Sequence, residues 1–161
     1  MSDRRIVIAG GSGFLGCRLS HKLLGRGCEV TVLSRAPDRA PAGPRGVAWD
    51  GRTQGDWARH LDGAFAVVNL TGRNVNCRYT KRNLHEIDAS RVDSVRAVGR
   101  AIAECRRPPR ALVQAATTAI YGDAGDRVCD ETAPLGEGIP VRTATMWGRR
   151  RHGSFTSVRF S

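Results

Sequence analysis

Residues 6–16 read Ile6-Val7-Ile8-Ala9-Gly10-Gly11-Ser12-Gly13-Phe14-Leu15-Gly16. This order of a short apolar run, a glycine turn and a helical pattern predicts a dinucleotide-binding βαβ unit. Gly10 suits the tight turn, Gly13 lets the backbone approach a pyrophosphate, and Gly16 allows the helix to pack against the sheet. Phe14 and Leu15 lie in the first turn of the predicted helix, whose free N–H groups and dipole favour phosphate, and we count them among the cofactor-binding residues. A glycine-rich turn without a ligand is the alternative.

The first helix is predicted over residues 13–26. Its leucines recur at every fourth position and form one apolar stripe, as Leu15, Leu19 and Leu23 show. Gly27 follows as a candidate for a left-handed helix cap.

The second strand is predicted over residues 29–33, and the residues after it select the cofactor. A site specific for NAD usually has Asp or Glu there to bind the ribose 2′-hydroxyl, whereas a 2′-phosphate needs a cation. After the strand this chain has Ser34 and Arg35, and the first acid that follows them is Asp38. Arg35 can pair with the phosphate and stack on adenine, so NADP is favoured and NAD is the second choice. A solvated surface arginine is the alternative interpretation of Arg35.

A short third strand is predicted over residues 47–50, after a loop at residues 36–45. Its last residue, Asp50, lies where ligands gather at the carboxyl ends of parallel strands. Asp50 therefore either contacts the adenine amino group or simply starts an Asp-Gly turn, and the sequence supports both about equally.

The rest of the chain continues to alternate between helices and strands. The predicted segments are a short helix at 54–61, a buried strand at 65–70, a long helix at 81–105 and a strand at 111–116. This alternation predicts a doubly wound parallel sheet, the Rossmann fold, as one NAD(P)-binding domain over residues 1–140. Leu70, Thr71 and Gly72 form a second place where backbone can approach the cofactor.

Residues 141–161 are predicted to form a basic tail. From Arg142 onward the chain has five arginines and no acid. A helix over residues 143–151 and a strand over 155–160 are the candidates for structure within it, and a solvated tail is preferred to a nucleic-acid contact.

The net charge of +11 raises the question of nucleic acid. All but two of the 26 basic residues are arginines, spread along the chain, and no lysine-rich arm or RNA-binding aromatic signature occurs. We therefore do not expect a nucleic-acid partner; such binding would weaken steeply with salt.

Length and composition indicate a cytoplasmic protein with one sizeable core. The chain has 161 residues and no apolar run long enough for a membrane span, and the run at residues 6–9 is too short for a signal peptide. The five cysteines are scattered without a C-x-x-C pair. Neither a disulfide framework nor a metal site is predicted.

Several motifs occur together in one order, and they carry a resemblance to a known family. Besides the glycine turn they are Trp49-Asp50, Asn69 to Gly72, Arg78-Tyr79-Thr80, Ser90-Arg91 and Thr117 to Gly122. With them the chain resembles the extended or atypical short-chain dehydrogenase/reductases, and within these the sugar-nucleotide-epimerase-like branch of NAD-dependent epimerases and dehydratases. The resemblance covers about residues 4–140. It implies the NADP(H)-binding domain of an epimerase- or reductase-like enzyme acting on a small-molecule substrate.

The resemblance also implies catalytic residues. In that family the segment similar to residues 116–122 carries an active-site Ser or Thr, and Thr117 matches it by position. Its hydroxyl would bind the substrate oxygen that gains or loses a proton during hydride transfer. Thr118 is the neighbouring candidate. Threonines at a strand end that satisfy backbone groups are the alternative.

The chain departs from the family at the acid–base pair. Members that perform redox chemistry use a tyrosine and a lysine four residues further on, the lysine making the tyrosine a better acid or base. This chain contains only Tyr79 and Tyr121, and no lysine after Lys81. Trp147 stands in the region concerned and matches the atypical branch.

The resemblance finally implies that the chain stops at about half the family's length. The end of the sequence fits a C-terminal truncation or a frame shift that removes the family's C-terminal substrate-binding lobe. An exposed sheet edge would then favour self-association. The alternative functions are a non-catalytic module that binds or senses NADP, or an inactive relic.

Overall fold

The structure is a computed structural model that describes residues 4–40, 42–130, 132–138 and 141. These residues divide into two compact units, the first extending to Ala115 and the second beginning at Ala116. The predicted helix at 143–151 and strand at 155–160 lie outside the described residues.

The first unit is built around a parallel sheet. Its strands are β1 (Arg5–Ala9), β2 (Glu29–Ser34), β3 (Arg45–Ala48), β4 (Ala66–Asn69) and β5 (Ala111–Gln114). Their spatial order is β3-β2-β1-β4-β5, and every neighbouring pair is parallel. The chain moves outward from β1 to β3 and then returns to the other side of β1 for β4. This is the doubly wound Rossmann topology that the sequence predicts, with its switch point between β1 and β4.

The register aligns the carboxyl ends of the three central strands. Ala9 at the end of β1 lies opposite Leu33 of β2 and Asn69 of β4. The segments that follow these strands therefore begin side by side, at the edge where open α/β sheets bind ligands.

Helices cover both faces of the sheet. Helix α1 (Phe14–Leu24) and helix α2 (Lys81–Ala103) are each slightly shorter than predicted. Thr80 caps α2 by accepting the Asn83 N–H at 3.2 Å, and Gly27 follows α1 with the expected left-handed φ of +74°.

The core has two parts because side chains alternate across the strands. One part lies on the α2 face and the other on the α1 face, where Leu19, Leu23 and Leu24 pack against it. The residues of the α2 face include Val7, Leu33, Val67, Ala97, Val98 and Ile102, and those of the α1 face include Ile6, Ile8, Val30 and Val32. A sheet covered on both faces explains the nearly continuous apolar strands of the sequence.

The segment between β3 and β4 differs from the prediction. A 3₁₀ helix, Asp56–His60, replaces the predicted helix over 54–61. The indoles of Trp49 and Trp57 lie 4.7 Å apart, and both donate their N–H to the carbonyl of Thr53, at 3.1 and 2.9 Å. These contacts fix a tight corner between β3 and the 3₁₀ helix.

The described part of the second unit is a short irregular segment. It contains the 3₁₀ helix Thr118–Tyr121, and the Tyr121 hydroxyl donates to the Asp130 carbonyl at 2.7 Å. Gly122 has a φ of +63°, and a Cβ on Gly136 would collide with the carbonyl of Tyr121, so glycine is required at both turns.

Candidate cofactor site

The glycine turn joins β1 to α1 and touches the loop after β4. Gly10 has a φ of +75° and donates its N–H to the Leu33 carbonyl at 2.9 Å. A Cβ at this position would lie 3.0 Å from the Thr71 nitrogen and 3.1 Å from the Leu70 carbonyl carbon. Both the backbone conformation and the close approach of the second loop therefore require glycine here.

Two glycines bring α1 close to the sheet. A Cβ on Gly16 would collide with the backbone of Gly11, and a Cβ on Gly11 would lie 2.8 Å from a methyl carbon of Val32 in β2. The helix therefore packs against the sheet through Gly11, whose role was not predicted from the sequence. The Gly-Gly pair after the strand was the available signal.

The start of α1 is open. Gly13 is the residue before the helix, and no side chain caps the first turn. Phe14 and Leu15 are 80% and 66% exposed. A Cβ on Gly13 would meet only the Gly10 carbonyl oxygen, at an ordinary 3.6 Å. Since packing within the chain does not require glycine at position 13, the free space and free N–H groups fit an anionic ligand such as a pyrophosphate.

A buried amide positions the second loop. Asn69 at the end of β4 is fully buried; its Oδ1 accepts the Thr71 N–H at 3.0 Å. Its Nδ2 donates to Gln114 Oε1 at 2.9 Å and to Ser94 Oγ at 3.3 Å. Gln114 and Ser94 were not predicted from the sequence, although a glutamine in the otherwise apolar β5 was a usable signal.

The Thr71 side chain has an unsatisfied polar atom. Its Oγ1 is buried, and within the described residues it has no hydrogen-bond partner. Buried hydroxyls are normally paired, so an unpaired one in the loop whose backbone approaches Gly10 fits a bound group that would supply its partner.

Arg35 is exposed immediately after β2. It makes no ion pair with another described residue. The preceding Ser34 is buried, and its hydroxyl accepts the Ala36 N–H at 3.1 Å. The backbone on either side of Arg35 is therefore held in place, while the guanidinium group stays available to a phosphate.

Asp50 lies just beyond β3 and caps a turn. Its Oδ1 accepts the N–H groups of Arg52 and Thr53, both at 2.9 Å, and its Oδ2 accepts the Thr53 hydroxyl at 2.9 Å. Burial raises the pKa of this carboxyl, but the hydrogen bonds from Thr53 and Arg52 outweigh it, so the pKa lies below its usual value. These hydrogen bonds match the alternative in which Asp50 starts an Asp-Gly turn. The adenine contact stays a prediction.

The two candidate catalytic threonines belong to the second unit. Thr117 precedes the 3₁₀ helix and accepts the Ala119 N–H on its Oγ1 at 3.2 Å. Thr118 is the first residue of that helix, and both threonines are exposed.

The described residues show no sign of two other kinds of site. Among them, no three His, Cys, Asp or Glu side chains are grouped so that they could hold a metal ion. No helix in this part of the chain combines the length and apolar character that crossing a membrane requires.

The fold and the open glycine turn define a nucleotide-binding α/β protein of the Rossmann class. Residues 6–151 match the model of the NAD dependent epimerase/dehydratase family. The chain belongs to this family.

Two curated relatives match the chain over less than half of their own length. The bovine epimerase family protein SDR39U1 is 34% identical over 140 residues, which are 83% of this chain and 43% of that protein. The epimerase family protein YfhF of Bacillus subtilis is 30% identical over 146 residues, 88% of this chain and 47% of that protein. The chain thus spans less than half the length of these relatives.

A solved structure agrees in fold and carries a cofactor. The crystal structure of human SDR39U1 with NADPH superposes with a TM-score of 0.79 at 31% identity. The match covers 96% of this chain and 51% of that one. This similarity, together with the family match, makes a nicotinamide cofactor the expected ligand of the class.

Proposed function

We propose that the first unit binds NADP(H) between the glycine turn and the Thr71–Gly72 loop, as the cofactor-binding part of an epimerase- or reductase-like short-chain dehydrogenase/reductase. The observation that carries the proposal is the uncapped, exposed start of α1. The unpaired buried hydroxyl of Thr71, in the loop whose backbone approaches Gly10, supports it. Residues of the turn would hold the pyrophosphate, and the second loop would line the other side. The residues in these roles are Gly10, Gly13, Phe14, Leu15 and Gly16 in the turn, and Leu70, Thr71 and Gly72 in the loop.

NADP is proposed in preference to NAD. Arg35 supplies an exposed cation where the 2′-phosphate would lie, and the Ser34 hydroxyl fixes the backbone next to it. The human relative's structure with NADPH supports the same choice. Asp50 would approach the adenine with the lone pairs that its turn leaves free.

The chemistry of a bound nicotinamide is hydride transfer, and the chain's own contribution would come from Thr117. Its Oγ1 accepts one backbone N–H, so its hydrogen stays free to be donated to a substrate oxygen. Thr118 is the second candidate. The substrate would be a small molecule of unidentified structure.

A second candidate function is a non-catalytic NADP-binding or sensing module, or an inactive relic. The Tyr121 hydroxyl is engaged with the Asp130 carbonyl, and the sequence holds no tyrosine–lysine pair of the family's spacing. NADPH binding without turnover on any sugar nucleotide or carbonyl substrate would favour this candidate.

Two further expectations belong with the proposal. The protein would work in the cytoplasm with no membrane or nucleic-acid partner. It would also self-associate through the edge of the sheet at β5, whose described neighbour is β4 alone. Light scattering that shows a monodisperse monomer would contradict the self-association.

Titration with NADPH, followed by its fluorescence, tests the proposal. The wild-type chain should bind NADPH, and Gly13→Ala should bind it at least about tenfold more weakly, because the methyl group occupies the space of the pyrophosphate. Gly13 has a φ of −78°, which any residue adopts, so this variant should keep the wild-type unfolding temperature. Absence of wild-type binding at millimolar NADPH would overturn the proposal.

A further inference from the structure

Helix α2 holds the backbone of Arg73 from both sides. The Arg73 N–H donates to Ser90 Oγ at 2.9 Å, and its carbonyl accepts from the Arg91 guanidinium at 3.1 Å. Ser90 in turn donates to the Ile87 carbonyl at 2.9 Å, which orients its oxygen as an acceptor toward Arg73. Arg91 also donates to the same Ile87 carbonyl, at 3.0 Å.

The side chains around Arg73 extend this attachment. The Arg73 guanidinium donates to Asn83 Oδ1 at 3.0 Å and pairs with Glu86, both on α2. The Arg91 guanidinium lies against Gly72, where a Cβ would be 3.3 Å from its carbon. Residues 72–73 are therefore bound to one side of α2 through backbone and side chains together.

The other end of the same loop is held by the sheet. The Leu70 N–H donates to the Ala9 carbonyl at 2.9 Å, and the Thr71 N–H donates to Asn69 Oδ1 at 3.0 Å. Between these two attachments, the Thr71 hydroxyl is buried without a partner among the described residues. The loop is thus fixed at both ends.

We infer that Ser90 and Arg91 are positioning residues for the cofactor, an inference that rests on the proposed NADP(H) function. They hold the Leu70–Arg73 loop in its binding conformation before the cofactor arrives. Binding then requires no ordering of this loop, and the affinity is higher for that reason. Neither residue needs to touch the cofactor for this effect.

Variants of the two residues separate positioning from general stability. Ser90→Ala removes the acceptor for Arg73, whereas Ser90→Thr keeps the hydroxyl. Arg91→Lys keeps the charge, but one ammonium group cannot reproduce the planar contact with Gly72 and both carbonyls. Arg96→Lys, an exposed arginine of the same helix, is the matched control.

Two readouts are measured on the full chain. NADPH titration gives the Kd, and amide hydrogen exchange of residues 70–77 without cofactor reports whether the loop is held. Ser90→Ala should raise the Kd about fivefold, the equivalent of one hydrogen bond, and speed exchange at the Arg73 amide. Arg91→Lys should do the same, and Ser90→Thr and Arg96→Lys should match the wild type.

The outcomes decide the inference separately from the proposed function. If the Kd is unchanged in both Ser90→Ala and Arg91→Lys, the positioning role is wrong, whatever the exchange rates are. A raised Kd with unchanged hydrogen exchange also rules the positioning role out. If the wild-type chain does not bind NADPH, the proposed function fails first. The exchange comparison then still decides whether α2 holds the loop.

Discussion

The hydroxyl oxygens of Ser12 and Ser34 lie 2.7 Å apart and join the glycine turn to the end of β2. Ser34 Oγ also accepts the Ala36 N–H at 3.1 Å and donates to the Ala36 carbonyl at 3.3 Å. The turn and the segment that carries Arg35 are therefore fixed relative to each other, on the side proposed for the adenosine half of the cofactor.

Arg35→Ala should weaken NADPH binding about tenfold while changing NADH binding little. The 2′-phosphate would lose one charge-assisted hydrogen-bonding partner, and NADH has no such phosphate. Parallel fluorescence titrations with the two cofactors measure this difference.

Arg39→Ala is the matched control, because Arg39 is exposed in the next short helical turn. It should leave the ratio of the two affinities unchanged. Equal losses for NADPH and NADH in Arg35→Ala would contradict the proposed contact with the 2′-phosphate.

Gly10→Ala should destabilise the protein more than Gly27→Ala does. Both glycines have left-handed φ values, +75° and +74°, but only a Cβ at Gly10 would crowd the Thr71 loop. Gly27→Ala should lower the free energy of unfolding by about 1 kcal/mol, the cost of the left-handed conformation alone. Gly10→Ala should cost more and also lose NADPH affinity. Urea unfolding and titration measure the two effects, and equal destabilisation would refute the crowding argument.

Gly16→Ala and Gly99→Ala should have opposite signs. Both glycines lie within helices, but a Cβ at Gly16 would collide with Gly11, whereas a Cβ at Gly99 has no neighbour within 4 Å. Gly99→Ala should raise the free energy of unfolding by about 0.5–1 kcal/mol through helix propensity. Gly16→Ala should lower it by about 1–3 kcal/mol through overpacking. Thermal unfolding of the two variants tests this prediction. Changes in stability of the same sign in both variants would contradict it.

The sequence predicted the sheet because its signals are local. Apolar runs, glycine turns and the leucine stripe of α1 each lie within a dozen residues, and their alternation is enough to define a doubly wound order. The glycine turn was predicted for the same reason, since its glycines are contiguous with β1.

The sequence did not predict the polar contacts between distant segments. Asn69 and Gln114 are 45 positions apart, and Ser90 meets Arg73 across the loop between β4 and α2. Nothing in a periodic pattern indicates which buried polar side chains pair, because the pairing depends on the register of separate elements. The 3₁₀ corner at Trp49 and Trp57 escaped prediction for the same reason.

Acid should weaken the fold through His60. Burial lowers the pKa of this imidazole from 6.5, and the neighbouring charges of Arg45, Arg59 and Arg5 lower it further. The unfolded chain then binds more protons than the folded one as pH falls through 6.5, so stability decreases with acidification until His60 is protonated in both states. His60→Gln should flatten the pH profile of the unfolding temperature in this window. His85→Gln, at an exposed site on α2, is the control, and identical slopes in both variants would refute the assignment.

Thr71→Val should stabilise the protein and weaken its cofactor binding. The Thr71 hydroxyl is buried without a partner among the described residues, so replacing it by a methyl group of similar shape should raise the free energy of unfolding by about 1 kcal/mol. The same change should weaken NADPH binding about fivefold if the hydroxyl bonds the cofactor. Among the described residues Ser20, within α1, also carries a buried hydroxyl without a partner, so Ser20→Ala should stabilise similarly without changing the Kd. Thr71→Ser should keep the wild-type affinity. A Thr71→Val variant that is more stable yet binds NADPH like the wild type would show that this hydroxyl does not bind the cofactor.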